Sequence, residues 1–191
     1  MSKDLVNVIK ALDFAARKHR DQRRKGAGSE PYINHLTEVA FLVAEATEGE
    51  ATTTLIAALL HDTIEDTITT REELEQEFGG DVATLVAELT DNKLLPKLKR
   101  KQLQVENSSS KSKAAKLIKI ADKISNLRSI LLSPPVGWDA GRQREYFAWA
   151  FAVVAGCRGV NKWIERCFDE AYETGLWELR QRGDTPPNQN V

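Results

Sequence analysis

The sequence predicts an all-α protein, a single-domain helical bundle of about eight or nine helices. Apolar residues recur at three- and four-residue steps along most of the chain, and strand alternation of useful length is absent. The chain has 191 residues, of which 41% are hydrophobic, so one domain can bury a substantial core. We expect residues 1–182 to form this domain, and the polar, proline-rich residues 183–191 to form a disordered tail.

Three helices are predicted in the first third of the chain. The first covers about residues 4–20 and has its apolar residues on one face. Two glycines and a proline in "RRKGAGSEPYINH" then interrupt the pattern and indicate a loop. A second helix begins near Asn34, and a strongly apolar third helix runs over about residues 51–62.

Capping signals predict two shorter helices next. Thr70 and Glu73 have the spacing of a capping box, and Gly79 is a stop signal, so a short exposed helix is expected here. Asp81 can cap the helix of "VATLVAELTD". Beyond it, the basic run "KLKRK" is typical of a solvated helix face, and the polar "ENSSSKSK" is typical of a mobile loop.

The strongest helical pattern lies in the second half of the chain. From Ala114, "AAKLIKIADKISNLRSILL" has a continuous apolar stripe, and the prolines of "SPPVGW" end the helix. Two further helices are expected over about residues 139–156 and 160–181.

The net charge, the apolar stretches and the cysteines indicate which partners and which compartment to expect for this protein. The formal net charge is -1, which gives no global positive field for nucleic acid or an anionic bilayer, so neither partner is expected. The apolar stretch "YFAWAFAVVAG" is too short to span a membrane, which needs about 20 residues. Cys157 and Cys167 fit neither a disulfide framework nor a thiolate metal site, which favours reduced thiols and a cytoplasmic protein.

The stretch "LLHDTIEDT", at residues 59–67, groups four side chains that could bind or react. His61 and Glu65 lie four residues apart, as do Asp62 and Asp66, so all four can occupy one sector of a helical turn. A single imidazole beside one carboxylate is usually a satisfied hydrogen-bonded pair. The two additional acids favour a functional site.

Two further residues complete a candidate metal site. His35, near the start of the second helix, is a candidate second imidazole. Asp122 lies in the strongest helical pattern, on a polar stripe with Asn126 and Ser129, and a buried carboxylate there needs a compensating charge. Two imidazoles and two carboxylates suit one Mn²⁺ or Fe²⁺ per active site, with Zn²⁺ possible if fewer ligands bind, and Mn²⁺ is our first choice.

Several motifs, in order, resemble one family. His35, "HD" at 61–62 and Asp122 match the ligand order of the HD-domain metal-dependent phosphohydrolases. The stretches "QRRKGAGSEPYINH", "ALLHDTIEDT", "LPKLKRKQLQVE", "AKLIKIADKISNLR" and "REYFAWA" resemble the small alarmone hydrolases called Mesh1, which are single-domain relatives of the SpoT hydrolase. The resemblance spans most of residues 8–165.

The resemblance implies an all-α, Mn²⁺-dependent (p)ppGpp 3′-pyrophosphohydrolase that yields pyrophosphate and GDP or GTP. By position, it implies a four-residue ligand set: His35, His61, Asp62 and Asp122. It also implies that Glu65 and Asp66 position or activate the attacking water. An adjacent carboxylate can orient such a water or take its proton.

Further positions are implied to contact the substrate, a small-molecule nucleotide. Arg24 and Lys25 match a pair that lies beside the nucleotide, and Asn126 and Ser129 match positions that contact base or sugar. Three weaker candidates for the 5′-phosphates and the ring are Lys97, Arg142 and Tyr146. For these three, a solvated basic face and a core aromatic remain an equal alternative.

Two other functions stay open at this point. The same metal site could act on another nucleotide, for example as an NADPH 2′-phosphatase. The chain could also be a catalytically inactive nucleotide-sensing module, although none of the expected ligands or acids is missing. His19, the remaining histidine, is expected to be structural or to support the site without ligating.

Overall fold

The computed structural model describes residues 3–183, which form ten α-helices and one 3-10 turn. Nine of these helices have eight or more residues, so the predicted all-α bundle is confirmed. The elements, in chain order, are α1 (Lys3–Lys18), α2 (Ile33–Ala46), α3 (Thr52–Leu60), α4 (Thr63–Asp66), α5 (Arg71–Phe78), α6 (Gly80–Leu89), α7 (Lys97–Glu106), the 3-10 turn (Ser108–Ser110), α8 (Lys113–Leu132), α9 (Ala140–Cys157) and α10 (Lys162–Gly183). Apart from Gly183, the predicted tail lies outside the described residues.

Helix α8 runs through the centre of the bundle. It packs against α2, α3, α6, α9 and α10, and twelve of its twenty residues are buried. The Ser112 side chain caps its N-terminus by accepting a hydrogen bond from the Ala115 N–H at 3.2 Å. Because neighbouring helices surround α8, part of its polar stripe is buried too, including Lys119, Asp122 and Lys123.

The predicted third helix is broken at the "HD" pair. Helix α3 ends at Leu60, and the one-turn helix α4 begins at Thr63. Two side chains take over main-chain acceptors at the break. The His61 Nδ1 lies 2.7 Å from the Ala58 carbonyl oxygen, and the Thr63 hydroxyl donates to the Leu60 carbonyl. Side-chain hydrogen bonds of this kind compete with helical ones and end the regular helix.

Two other local expectations were wrong. Asp81 does not cap α6, because that helix already begins at Gly80 with Gly79 as its N-cap. The serine stretch is a 3-10 turn rather than a mobile loop, since the buried Ser108 hydroxyl donates to the Val105 carbonyl at 2.8 Å. A Cβ atom on Gly156 of α9 would overlap Ser108, so the turn packs directly on that helix.

Two isolated bridges, Arg23 with Pro31 and Gly26 with Pro135, tie the loop after α1 together and connect it to the segment after α8. Together with the hydrogen bond from Arg24 to Asn126, these bridges place the loop beside the polar side of α8. Among the described helices, none has both the length and the apolar character of a bilayer-spanning segment.

Candidate active site

Three helical segments bring imidazoles and carboxylates together. His35 comes from α2, and His61 and Asp62 come from the break between α3 and α4. One ligand atom from each of these three residues lies within 4.8 Å of the others. Asp122 of α8 joins them, with its Oδ1 3.4 Å from the His35 Nε2. His35, His61 and Asp122 are buried and Asp62 is partly exposed, so this group of four lies at the edge of the core.

The two carboxylates are oriented by neighbouring donors. The Tyr32 hydroxyl donates to the Asp62 Oδ2 at 2.6 Å. The Lys123 Nζ donates to the Asp122 Oδ2 at 2.8 Å, and the Asn126 amide donates to the Asp122 Oδ1 at 2.6 Å. These contacts fix the direction in which each carboxylate presents its remaining lone pairs.

The hydrogen bonds of the imidazole nitrogens of His35 and His61 show whether this group could bind a cation. The Nε2 atoms of His35 and His61 are buried, and within residues 3–183 neither has a hydrogen-bond partner. Both Nδ1 atoms are engaged, that of His35 with the Ser125 Oγ at 2.9 Å and that of His61 with the Ala58 carbonyl. A carbonyl only accepts, so the His61 Nδ1 carries a proton, and in the neutral imidazole the Nε2 is left with a lone pair. Nitrogen lone pairs that face carboxylates fit a divalent metal ion.

The charges at this group respond to one another. Burial alone would lower the pKa of His61, but the Asp62 carboxylate, 3.2 Å away, raises the pKa of that imidazole to about 9. Burial lowers the pKa of His35. Burial opposes the charged form of Asp122, yet the adjacent Lys123 ammonium holds the pKa of that carboxyl well below its usual range. The aspartate therefore stays ionised at neutral pH.

The acidic pair Glu65 and Asp66 lies on α4, beside the four candidate ligands His35, His61, Asp62 and Asp122, here called the metal group. Both residues line a polar cavity of about 160 Å³ together with His61, Asp62 and Asp122. Glu65 accepts a hydrogen bond from the Asp91 N–H at 3.2 Å, and its burial raises the pKa of its carboxyl group.

Asp66 is held by side chains from outside α4. The Lys93 ammonium lies 2.5 Å from its Oδ1, and the Gln22 amide donates to its Oδ2 at 2.9 Å. The same Gln22 side chain contacts the Nδ1 of His19, and the His19 ring stacks on Tyr32 at 5.3 Å. His19 thus supports the residues around the site, as its structural interpretation predicts.

The nucleotide candidates near α8 divide into two groups. Arg24 donates to the Asn126 Oδ1 at 3.0 Å, which places its guanidinium next to the Asp122 side of the site. Arg24 and Ser129 line a second cavity, of about 490 Å³, which also reaches His35. Lys25 is exposed, and its main-chain carbonyl accepts from the Val136 N–H, so the structure does not bring its side chain into either cavity.

The remaining candidates lie where α7 and α9 approach each other. Lys97 is exposed at the start of α7, and the Arg142 guanidinium lies 4.8 Å from the Trp138 ring centroid. Tyr146 is half-buried, 5.8 Å from the Trp138 ring, and its burial raises the pKa of its phenol to about 12. Burial and nearby Lys97 lower the pKa of Lys101, which is expected where cations crowd together.

Sequence reasoning missed several residues that orient the site, among them Tyr32 and Lys123. Tyr32 stands three positions before His35, and that spacing could have flagged it as a neighbour across one helical turn. Lys123 follows Asp122 directly, and adjacent residues on a helix normally face apart. In the structure the Lys123 Nζ lies 2.8 Å from the Asp122 Oδ2 and 4.4 Å from the Trp149 ring centroid, and sequence spacing reveals neither contact.

Comparison with known proteins gives one consistent match. The HD domain family matches residues 11–145. The guanosine-3′,5′-bis(diphosphate) 3′-pyrophosphohydrolase MESH1 of Xenopus tropicalis is 48% identical over 90% of this chain and 96% of its own length. The protein of the same name from Homo sapiens is 47% identical over 91% of this chain and 97% of its own length.

Solved structures agree with the sequence comparison. A metazoan orthologue of SpoT, described as hydrolysing ppGpp, superposes with a TM-score of 0.84 at 44% identity, over 93% of this chain and 96% of that one. A Listeria monocytogenes protein superposes with a TM-score of 0.64 at 30% identity, over 79% of this chain and 97% of that one.

Proposed function

The chain belongs to the HD-domain family and to its Mesh1 branch, and on that premise we propose that it hydrolyses guanosine-3′,5′-bis(diphosphate) and releases the 3′-pyrophosphate. The observation that carries this proposal is the group of His35, His61, Asp62 and Asp122 beside two further acids. Hydrolysis yields GDP and pyrophosphate, or GTP when the substrate has a 5′-triphosphate.

The proposed metal is Mn²⁺, one ion per active site. His35 and His61 would supply their Nε2 atoms, and Asp62 and Asp122 would supply carboxylate oxygens. A mixed nitrogen and oxygen set suits Mn²⁺ better than Ca²⁺ or Mg²⁺. When bound, such an ion polarises a phosphoryl oxygen and lowers the pKa of water.

The acidic pair would handle the attacking water. The water oxygen bonds to the phosphorus next to the ribose 3′-oxygen, the bond from phosphorus to that oxygen breaks, and the 3′-oxygen gains a proton. Burial raises the pKa of Glu65 toward neutral pH, which suits this carboxylate to accept the proton that the water loses. Asp66, held by Lys93 and Gln22, would orient the water.

Cations and amides around the cavities would bind the rest of the substrate. Arg24 would offset charge on the 3′-pyrophosphate, and Asn126 and Ser129 would contact the sugar or the base. Lys25 would add to this charge only if its exposed side chain turned toward the bound nucleotide. The 5′-phosphates and the ring would meet three residues between α7 and α9: Lys97, Arg142 and Tyr146. We place the enzyme in the cytoplasm, because Cys157 and Cys167 are both free thiols.

The test is a product assay on the purified, Mn²⁺-loaded protein. With ppGpp we expect pyrophosphate and GDP in equal amounts, and no turnover by the His61→Ala variant. Release of orthophosphate from NADPH with a higher kcat/KM than pyrophosphate release from ppGpp would replace this function by a 2′-phosphatase. Tight ppGpp binding without turnover by the wild type would instead identify a sensing module.

A further inference from the structure

A second set of polar contacts lies on the side of His35 opposite the metal group. Its Nδ1 contacts the Ser125 Oγ at 2.9 Å, and that hydroxyl donates to the Glu38 Oε2 at 2.6 Å. The other Glu38 oxygen, Oε1, accepts a hydrogen bond from Arg128 at 3.0 Å. His35 is 3% exposed and Ser125 is 1% exposed, so water cannot substitute for these partners.

The donor and the acceptor of each hydrogen bond between His35, Ser125 and Glu38 follow from the hydrogens that these groups carry. A serine hydroxyl has a single hydrogen, and the short contact to a carboxylate is typical of a charge-assisted O–H···O⁻ bond. Because the Ser125 hydrogen goes to Glu38, only a lone pair of Oγ remains for His35. The His35 Nδ1 must therefore carry a hydrogen and donate it, which leaves the buried Nε2 with its lone pair.

Helix spacing explains why these residues meet. His35 and Glu38 are three apart on α2, and Asp122 and Ser125 are three apart on α8, so each pair shares a helix face. Helix α8 thereby holds the imidazole from both sides, with Asp122 at its Nε2 and Ser125 at its Nδ1.

The two imidazoles differ in what fixes them. The Nδ1 of His61 faces a main-chain carbonyl, which is an acceptor whatever the side chains are. The Nδ1 of His35 faces a hydroxyl, which can donate or accept. The state of His35 therefore depends on the charge of Glu38, one contact further away.

We propose that Ser125 and Glu38 are positioning residues that hold His35 as its Nδ1–H tautomer, so that its Nε2 is free to bind the metal ion. This inference rests on the proposed function, because it assumes the same metal site. Arg128 has a supporting role, since its guanidinium orients the Glu38 carboxylate.

Two variants perturb the hydrogen bonds between Glu38, Ser125 and His35 in different ways. Ser125→Ala removes the hydroxyl and leaves the Nδ1–H without an acceptor. Glu38→Gln can reverse the direction of both hydrogen bonds. The new amide nitrogen can donate to the Ser125 Oγ, and the Ser125 hydrogen then goes to the Nδ1 of His35. Ser125→Thr keeps the hydroxyl, so this variant should retain the Nδ1–H tautomer of His35 and the Mn²⁺ affinity of the wild type. Glu45→Gln changes an exposed glutamate on the same helix and is the matched control.

The first measurement is the tautomer of His35 in metal-stripped, ¹⁵N-labelled protein, from two-bond ¹H–¹⁵N correlations. The chain has three histidines, so the rings can be assigned by single substitutions. We expect the Nδ1–H form of His35 in the wild type and in Glu45→Gln, and the Nε2–H form in Glu38→Gln. An Nε2–H form in the wild type would overturn the proposal.

The second measurement is Mn²⁺ affinity by calorimetry, on variants whose folding is checked by circular dichroism. Loss of a group that orients a ligand typically weakens metal binding about 10–100-fold, and we expect this for Ser125→Ala and Glu38→Gln. Ser125→Thr and Glu45→Gln should stay within about twofold of the wild type. If Ser125→Ala does not fold, Glu38→Gln decides, because unchanged Mn²⁺ affinity there contradicts the proposal.

Failure of the positioning role and failure of the proposed function are distinguishable. An active, Mn²⁺-binding wild type whose Glu38→Gln variant binds Mn²⁺ equally well would overturn the positioning role alone. A wild type that binds no Mn²⁺ and hydrolyses no ppGpp would overturn the proposed function and the metal site together.

Discussion

Individual side chains in this site have separate duties, because each oxygen and nitrogen atom has its own partner. Asp66 lines the cavity but is held by Lys93 and Gln22 rather than by an imidazole. Changing Asp66 should therefore leave the metal group in place.

We expect Asp66→Asn to keep Mn²⁺ and the fold but to lower kcat by about a hundredfold, the usual scale for losing a carboxylate that acts on the attacking water. Steady-state kinetics with ppGpp and metal analysis of the purified variant check this. Loss of metal from Asp66→Asn would show that the carboxylate is a ligand instead.

His61 gives the metal-free protein a defined pH dependence. Its pKa is raised from 6.5 to about 9 in the folded state, so its contribution to stability is complete below pH 6.5 and is lost as the pH rises through 9. Urea unfolding in EDTA should show a free energy of unfolding that falls over this range, by at most about 3 kcal/mol. Mn²⁺ requires the neutral imidazole, so saturating Mn²⁺ should abolish or reverse this slope.

The control for this experiment is His61→Gln, which cannot be protonated. Without metal, the free energy of unfolding of this variant should depend less on pH, because the contribution of His61 is missing. An identical slope in wild type and variant would assign the pH dependence to other groups.

At the scale of single residues, the sequence predicted the side chains that converge and missed those that orient them. The histidines and acids were recognisable because metal ligands are a small set of residue types. Tyr32, Ser125 and Glu38 have no such distinguishing chemistry, and their roles depend on contacts between α2 and α8.

Among the elements, the break between α3 and α4 shapes the site most directly. It turns Asp62 toward His35 and places Glu65 and Asp66 on a separate turn. Periodicity predicts that the third helix ends near residue 62 but does not reveal the separate turn of α4, because Ile64 is the only apolar residue after Leu60 in "LLHDTIEDT". The hydrogen bonds that end α3 come from side chains, and sequence spacing does not reveal which acceptor a hydroxyl chooses.

Removing one of these hydrogen bonds should destabilise the break. Thr63→Val keeps the shape of the buried side chain but leaves the Leu60 carbonyl without its donor. We expect the free energy of unfolding to fall by about 1–3 kcal/mol, measured by urea unfolding, together with a weaker affinity for Mn²⁺. Thr53→Val, at an exposed position on α3, is the matched control, and an equal loss in both variants would contradict this account.

The whole molecule depends on close contacts between helices that are far apart in sequence. Gly175 of α10 is one, because a Cβ atom there would lie 2.2 Å from the Phe147 ring of α9 and 3.2 Å from Leu131 of α8. The helix count was predictable from periodicity. The packing of α8, α9 and α10 was not, since a glycine in a helix looks like a weak point until its neighbour is known.

We expect Gly175→Ala to lower the free energy of unfolding by about 1–3 kcal/mol, because the buried Phe147 has little room to move. The measurement is thermal or urea unfolding monitored by circular dichroism. Gly80→Ala is the control, since the nearest atom to its added Cβ is 3.8 Å away. Equal effects at both positions would show that the backbone, rather than the contact, determines the cost.

Helix α8 supplies both the innermost apolar residues and the Asp122 side of the site. Heat inactivation and loss of circular dichroism should therefore share one midpoint, because no catalytic lobe can melt independently. Twelve of the twenty residues of α8 are buried and leave little room for substitution, so new substrate preferences are expected at the exposed Lys97 and Arg142, near the starts of α7 and α9.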